Sequence, residues 1–151
     1  MKEEFLAIEN RSKYQMVIKS NLNNIKKVEL VTEKIADYMK FLEDDRDSMA
    51  IAVTEIVGNA ISHGNKGDVN KKVTIDFEYK KDTITVTIND EGKGFDVNEI
   101  ENPLEPENLL KESGRGIFIV RALMDKVEFF KTENGAAIRL TKKTNRSSNN
   151  N

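Results

Sequence analysis

Three polar side chains, Glu55, Asn59 and His63, recur at four-residue intervals in the stretch TEIVGNAISHGN (54–65), among small and apolar neighbours. Side chains four apart share one face of an α-helix, so a carboxylate, an amide and an imidazole would line one edge of an otherwise buried helix. Two glycine clusters follow: DEGKGFD (90–96) leaves a strand and holds Asp90, Gly92 and Gly94, while SGRG (113–116) enters a helix and holds Gly114, Arg115 and Gly116. Glycine lets backbone amides approach a ligand closely, and a helix N-terminus offers unpaired N–H groups with partial positive charge, a natural seat for phosphate. Arg115 adds a planar fork of donors suited to phosphate oxygens. A Gly-x-Gly at a helix start also serves as a cap or packing feature, and most helix glutamates are simply solvated, so neither signal decides the chemistry alone.

Composition removes several classes. The chain has 151 residues, 24 basic against 26 acidic, and a formal charge of −2. That length fits one domain with a real core, and the charge balance implies no general attraction to nucleic acid or to an anionic membrane. With no cysteine and one histidine, disulfides, thiolate zinc sites, cysteine nucleophiles and multi-histidine metal sites are excluded. A charged start, MKEEFLAIEN, lacks the apolar core of a signal peptide, and no run approaches a membrane span. A cytoplasmic protein is expected.

Familiar ligand motifs also fail on the residues. A calcium loop starting at Asn89 would put Lys93 at its fifth position and Ile100 where the bidentate glutamate belongs. Val97 and Ile119 stand where a dinucleotide fingerprint needs its third glycine. No G-x-x-x-x-G-K-[ST] occurs.

The elements that must position these groups read in order. Residues 14–20 alternate as a short strand, and apolar residues at helical spacing give a long helix from about 23 to 42. Asp44-Asp45 offers an N-cap for a second helix with core face Met49, Ala52, Val53, Ile56, Val57 and Ala60, ending at His63-Gly64-Asn65. A hairpin (71–80 and 83–90, turning at Lys81-Asp82), a polar loop with Pro103 and Pro106, an apolar helix opened by Gly114-Arg115-Gly116, and a second hairpin (126–133 and 136–142, turning at Asn134-Gly135) follow. Residues 1–13 form a leader and 143–151 a disordered polar tail around a domain at 14–142. Strands clustered in hairpins predict an α+β fold, a two-layer sandwich with about three helices on one face of a mixed, mainly antiparallel sheet.

Taken together, Glu-x-x-x-Asn on a helix, Asp-x-Gly-x-Gly after a strand, a long loop and Gly-x-Gly entering a helix resemble the GHKL, or Bergerat-fold, ATPase and kinase superfamily over nearly all of 14–142. Within it, TEIVGNAISHGN, NDEGKGFD and SGRGIFIVRALMD are most similar to the anti-sigma-factor serine/threonine kinases of bacterial partner-switching systems.

The resemblance implies ATP/ADP and Mg²⁺ as ligands. Asn59 would coordinate the magnesium, and Asp90 would accept from the exocyclic amino group of adenine. Gly92 and Gly94 would wrap base and ribose, Gly114, Arg115 and Gly116 would cover the phosphates, and Arg115 would neutralise γ-phosphate charge during transfer. Glu55 would be the general base, and the loop 97–113 the lid. His63 either sits near the phosphate end or closes the helix beside Gly64. Where many relatives have Gly-Thr entering the last strand, this chain has Gly135-Ala136, so one adenine-side hydrogen bond is expected to be missing.

The implied function is an ATP-dependent protein serine/threonine kinase acting as an anti-sigma factor. Its implied partners are a sigma factor or equivalent regulator and an anti-anti-sigma factor that it phosphorylates, with no direct nucleic acid and no membrane. A homodimer is expected, with strand 14–20 offering an edge. The alternative of a different class is an ATP-gated, non-catalytic binding module of the same fold. A motor of the gyrase or Hsp90 kind is not expected, since those couple the ATP domain to a following transducer and the sequence stops soon after its last strand.

Overall fold

The computed structural model defines residues 7–92 and 112–144, with side chains of the second stretch defined from Gly116 onward. Five strands, β1 (Lys13–Lys19), β2 (Lys72–Lys80), β3 (Thr83–Asp90), β4 (Lys126–Thr132) and β5 (Gly135–Lys143), form one sheet in the order β1-β2-β3-β5-β4. Among the described residues three complete α-helices, α1 (Ile25–Tyr38), α2 (Glu43–Asn59) and α3 (Glu112–Leu123), accompany it. The α+β class is the expected one. Among the described strands the parallel component of a mixed sheet is missing, because all four pairings are antiparallel.

Strand alternation separates the two faces. Val73, Ile75, Phe77 and Tyr79 of β2 and Ile84, Val86 and Ile88 of β3 are buried. Register carries this across the sheet: Met16, Ile75, Ile88, Ile138 and Phe129 stand in one row over all five strands. The neighbouring row on the other face, Gln15, Asp76, Thr87, Arg139 and Glu128, is polar throughout. There Gln15 Nε2 donates to Asp76 Oδ1 at 2.7 Å and Arg139 Nε to Thr87 Oγ1 at 3.3 Å. One face therefore holds the core and the other meets water, as is usual for an antiparallel sheet.

On the apolar face α2 packs between α1 and α3. Met49, Ala52, Val53, Ile56, Val57 and Ala60 are all buried, as their spacing requires. Burying an aliphatic side chain of the Val or Ile size contributes roughly 1.5–3 kcal/mol, so this face fixes α2 against rotation. Lys142 of β5 fixes its direction. The Nζ donates to the carbonyl of Leu123 at the end of α3 (2.7 Å) and lies 3.9 Å from Asp45 in the first turn of α2. The start of α2 thus meets the end of α3, and the two helices run antiparallel.

Element ends depart from the sequence reading for local reasons. The first helix stops at Tyr38 rather than about 42, because Lys40 adopts φ 60° and reverses the chain. Lys40 N–H donates to Asp37 O (3.0 Å) and Phe41 N–H to Ala36 O (2.9 Å), the pair of bonds that defines a Schellman C-terminus. A lysine in that position gives no stop signal in sequence. Asp44 and Asp45 are not the N-cap of α2. Leu42 occupies the cap without a side-chain bond, and the acidic residues fill the first turn, where negative charge is favoured. The last helix starts at Glu112, two residues before Gly114, and Gly135 is already paired with Thr132 as the first residue of β5. Ahead of β1, Ile8 is only 1% exposed and its carbonyl accepts from Tyr79 Oη at 2.7 Å, so the polar leader contributes to the core.

Replacing Lys40 by glycine removes the left-handed strain and is expected to stabilise the fold by about 0.5–1 kcal/mol. A higher denaturant midpoint with unchanged slope would show it; a lower midpoint would contradict this account of the helix end.

Candidate functional site

The alternation of β3 that buries Ile84, Val86 and Ile88 also aims Asp90 at the core face, at the end of the strand. Asp90 as a residue is 9% exposed. Burial pushes its pKa above the usual carboxylate range, while N–H groups of Gly92 and Ala136 and the charge of Lys71 pull the other way. Gly92 N–H donates to Asp90 Oδ1 at 3.0 Å.

Three glycines make room for this carboxylate. A Cβ on Gly64 would overlap Asp90 Oδ2, one on Gly92 would overlap the Gly64 carbonyl oxygen, and one on Gly135 would overlap the Asp90 carbonyl oxygen. Gly64 reaches Asp90 because α2 does not end at Asn59 but widens into a π-helical turn, Ala60–Gly64, closed by Asn65 N–H donating to Ala60 O at 2.8 Å. Such turns recur at functional sites. His63 stands exposed on it.

The other end of the site lies on the α2–α3 seam. Glu55 packs its carboxylate directly against Gly116, where a Cβ would overlap Oε1. One turn later Asn59 is 7% exposed, and its Nδ2 is buried without a hydrogen-bond partner. An unpaired buried amide is costly, and rotation about its last bond presents either end to the same space, so Asn59 is suited to offer Oδ1 to a cation. A single amide fits Mg²⁺, which takes few protein oxygens and fills its octahedron from phosphates and water. Among the described residues no cluster of three acidic or histidine side chains forms a protein-only metal cage.

The candidate residues therefore fall into two described groups joined by α2: Asp90 with Gly92, and Glu55 with Gly116, with Asn59 between. Gly94, Pro103, Pro106 and the expected lid up to residue 111 lie outside the described residues, as does the side chain of Arg115. Gly114 and Arg115 fall in the first turn of α3, among the four amides that no helix carbonyl can satisfy, while Gly116 is just inside. Sequence reasoning missed Gly64 and Gly135 as parts of the carboxylate floor and saw Asn65 only as part of a helix stop. Gly64 was visible as a helix stop, but its contact with Asp90 depends on the π turn, which leaves no pattern in sequence. Cavity size does not locate the site. A recess of about 550 Å³ lies on the polar face near Gln15, Asp76 and Arg139, away from these groups, while one of about 420 Å³ adjoins the carboxylate floor at Lys71, Glu91, Gly92 and Gly135.

Two tests follow from this geometry. Gly92→Ala forces a backbone-against-backbone overlap and is expected to cost about 1–3 kcal/mol, whereas Gly116→Ala meets only a movable side chain and gains helix propensity, leaving stability within about 1 kcal/mol. Chemical denaturation of both variants measures the contrast; equal losses would remove it. Asp90 has a raised folded pKa, so its contribution is fully present below the unfolded value and is lost as pH rises through the folded one. The melting temperature of Asp90→Asn minus that of the parent should therefore increase from acid to neutral pH, and a pH-independent difference would contradict the burial account.

A family model described as the histidine kinase-like ATPase domain matches residues 18–142. The serine-protein kinase RsbW of Bacillus licheniformis is 30% identical over 125 residues, covering 79% of this chain and 78% of that protein. RsbW of Staphylococcus aureus is 38% identical over 106 residues, 66% of each. Among solved structures, the RsbU and RsbW domains of a Mycobacterium tuberculosis protein match with TM-score 0.66 at 15% identity, over 89% of this chain and 33% of that one. The nucleotide-free catalytic domain of histidine kinase ThkA matches with TM-score 0.56 at 19% identity, over 87% of this chain and 97% of that one. At such identities the structures speak for the fold alone. With the family model spanning every element from the end of β1 to the last strand, the chain belongs to the histidine kinase-like ATPase domain family.

Proposed function

We propose that this protein is an ATP- and Mg²⁺-dependent protein serine kinase that acts as an anti-sigma factor, holding a sigma factor and phosphorylating an anti-anti-sigma partner. The observation that carries the reading is the seam where the Glu55 carboxylate lies against Gly116, one helical turn from the unpartnered amide of Asn59. The similarity to proteins named RsbW supports the same direction.

In this reading Asp90 takes the adenine amino group, and its glycine-lined floor admits the base edge. From Gly64 to Glu55, nine residues of helix cover roughly 13 Å at 1.5 Å per residue, on the scale of an extended nucleoside triphosphate. The phosphates then lie towards the start of α3, whose unpaired amides and positive dipole end favour them, with Arg115 adding charge. Asn59 would hold Mg²⁺, which when bound neutralises the phosphate oxygens. Glu55 accepts the proton of the partner's hydroxyl as that oxygen bonds to the γ-phosphorus. The bond from phosphorus to the bridging oxygen breaks, and ADP leaves with the electron pair. Gly116 matters here because its missing side chain lets Glu55 lie on the seam.

The proposed unit is the folded region 14–142, acting as a homodimer in the cytoplasm. No helix among the described residues is long and apolar enough to cross a membrane. In this reading the edge of β1 offers the dimer contact, with Lys13 and Lys19 exposed on its polar side.

The decisive experiment uses Glu55→Gln with labelled ATP and a hydroxyl-bearing anti-anti-sigma protein. Binding of Mg-ATP should persist while transfer falls by about 10²–10⁴-fold. Transfer at the parental rate would remove Glu55 as base, and no transfer by the parent to any such partner would favour the non-catalytic binding module.

A further inference from the structure

Asn65 is fully buried, at 0% exposure, and follows directly on the π turn. Both polar atoms of its side chain are hydrogen-bonded. Nδ2 donates to Ser20 Oγ at 2.7 Å and to the Lys72 carbonyl at 3.0 Å, while Oδ1 accepts the Glu91 N–H at 2.8 Å. Ser20 Oγ in turn donates to the Lys71 carbonyl at 2.7 Å, and Glu91 Oε1 accepts Lys72 N–H at 2.5 Å. One amide thereby ties the end of β1, the start of β2 and the end of β3 to the last turn of α2.

What it ties is specific. The N–H it accepts belongs to Glu91, the residue between Asp90 and Gly92. Its own backbone begins where Gly64 ends, and Gly64 supplies both the surface against Asp90 Oδ2 and the carbonyl against which Gly92 lies. A shift of Glu91 would rotate the Asp90 carboxylate and release the Gly92 amide that bonds it.

We infer that Asn65 is a positioning residue for purine recognition, holding the Asp90–Gly92 backbone so that the Asp90 carboxylate faces the 6-amino group of the base. The inference rests on the reading of Asp90 given above. Asn65 touches no nucleotide and acts only through Asp90 and Gly92. A buried, fully satisfied network of this kind rigidifies what it holds, whereas removal of one member leaves several polar groups unpaired.

The test compares Mg-ATP with the Mg complex of purine riboside triphosphate, which lacks only the 6-amino group, by equilibrium binding to the full chain. The parent should prefer ATP. If it does not, the reading of Asp90 fails first and independently of Asn65. Given that preference, Asn65→Ala should weaken ATP by about tenfold while leaving the analogue within about twofold, so the preference collapses. Ser20→Ala, which removes one partner of Nδ2 and keeps the other, should act in the same direction by a few-fold and decides the matter if Asn65→Ala does not fold. Equal weakening of both ligands by these variants would mark the network as merely structural and overturn the inference, as would no change in either.

Discussion

The structure depends on one crowded place: the carboxylate of Asp90 held at the buried end of a strand by backbone that leaves no room for a Cβ at Gly64, Gly92 or Gly135. Desolvation disfavours the charge there, and the N–H groups of Gly92 and Ala136 offset only part of the cost. A strand end that served the core alone would carry an apolar residue in this register, in line with Ile84, Val86 and Ile88. That a carboxylate occupies it, with three glycines arranged around it, supports the proposal that this end of the strand meets a ligand.

The rest of the architecture serves to hold a second locus at a fixed distance from the first. Helix α2 carries Glu55 and Asn59 and then widens to bring Gly64 to Asp90, so a single element runs the length of the site. Its rotation is set by the apolar face from Met49 to Ala60 and its direction by Lys142, which meets Asp45 and the last carbonyl of α3. The seam between Glu55 and Gly116 is a consequence of that antiparallel packing. Asn59 is buried without a hydrogen-bond partner for its amide nitrogen; among the described residues of this helix only Arg46 Nε shares that condition, and it lies 3.5 Å from the Asp47 carboxylate.

Much of this was legible in the residues. The period-two pattern of 83–90 gave β3, and the four-residue spacing of Glu55 and Asn59 gave their shared edge. What could not be read has physical causes. Lys40 ends α1 in a conformation that glycine would have advertised. The α3 start at Glu112 precedes the glycines that seemed to mark it, since glycine tolerates a first turn as well as it breaks one. Asn65 signalled only a helix stop, because its partners, Ser20, Lys72 and Glu91, are brought together only by the sheet. Ala136 brings no side-chain hydroxyl to the site, but its backbone N–H helps to hold down the pKa of Asp90; such main-chain contributions are invisible to an argument from side-chain types.

A crystal structure of the complex with Mg²⁺ and a non-hydrolysable ATP analogue tests the central claim most directly. The account requires the exocyclic amino group at hydrogen-bond distance, about 3 Å, from the Asp90 carboxylate, with the phosphates running past Asn59 towards Gly116. A base seated elsewhere, or a triphosphate lying in the opposite sense along α2, would contradict it.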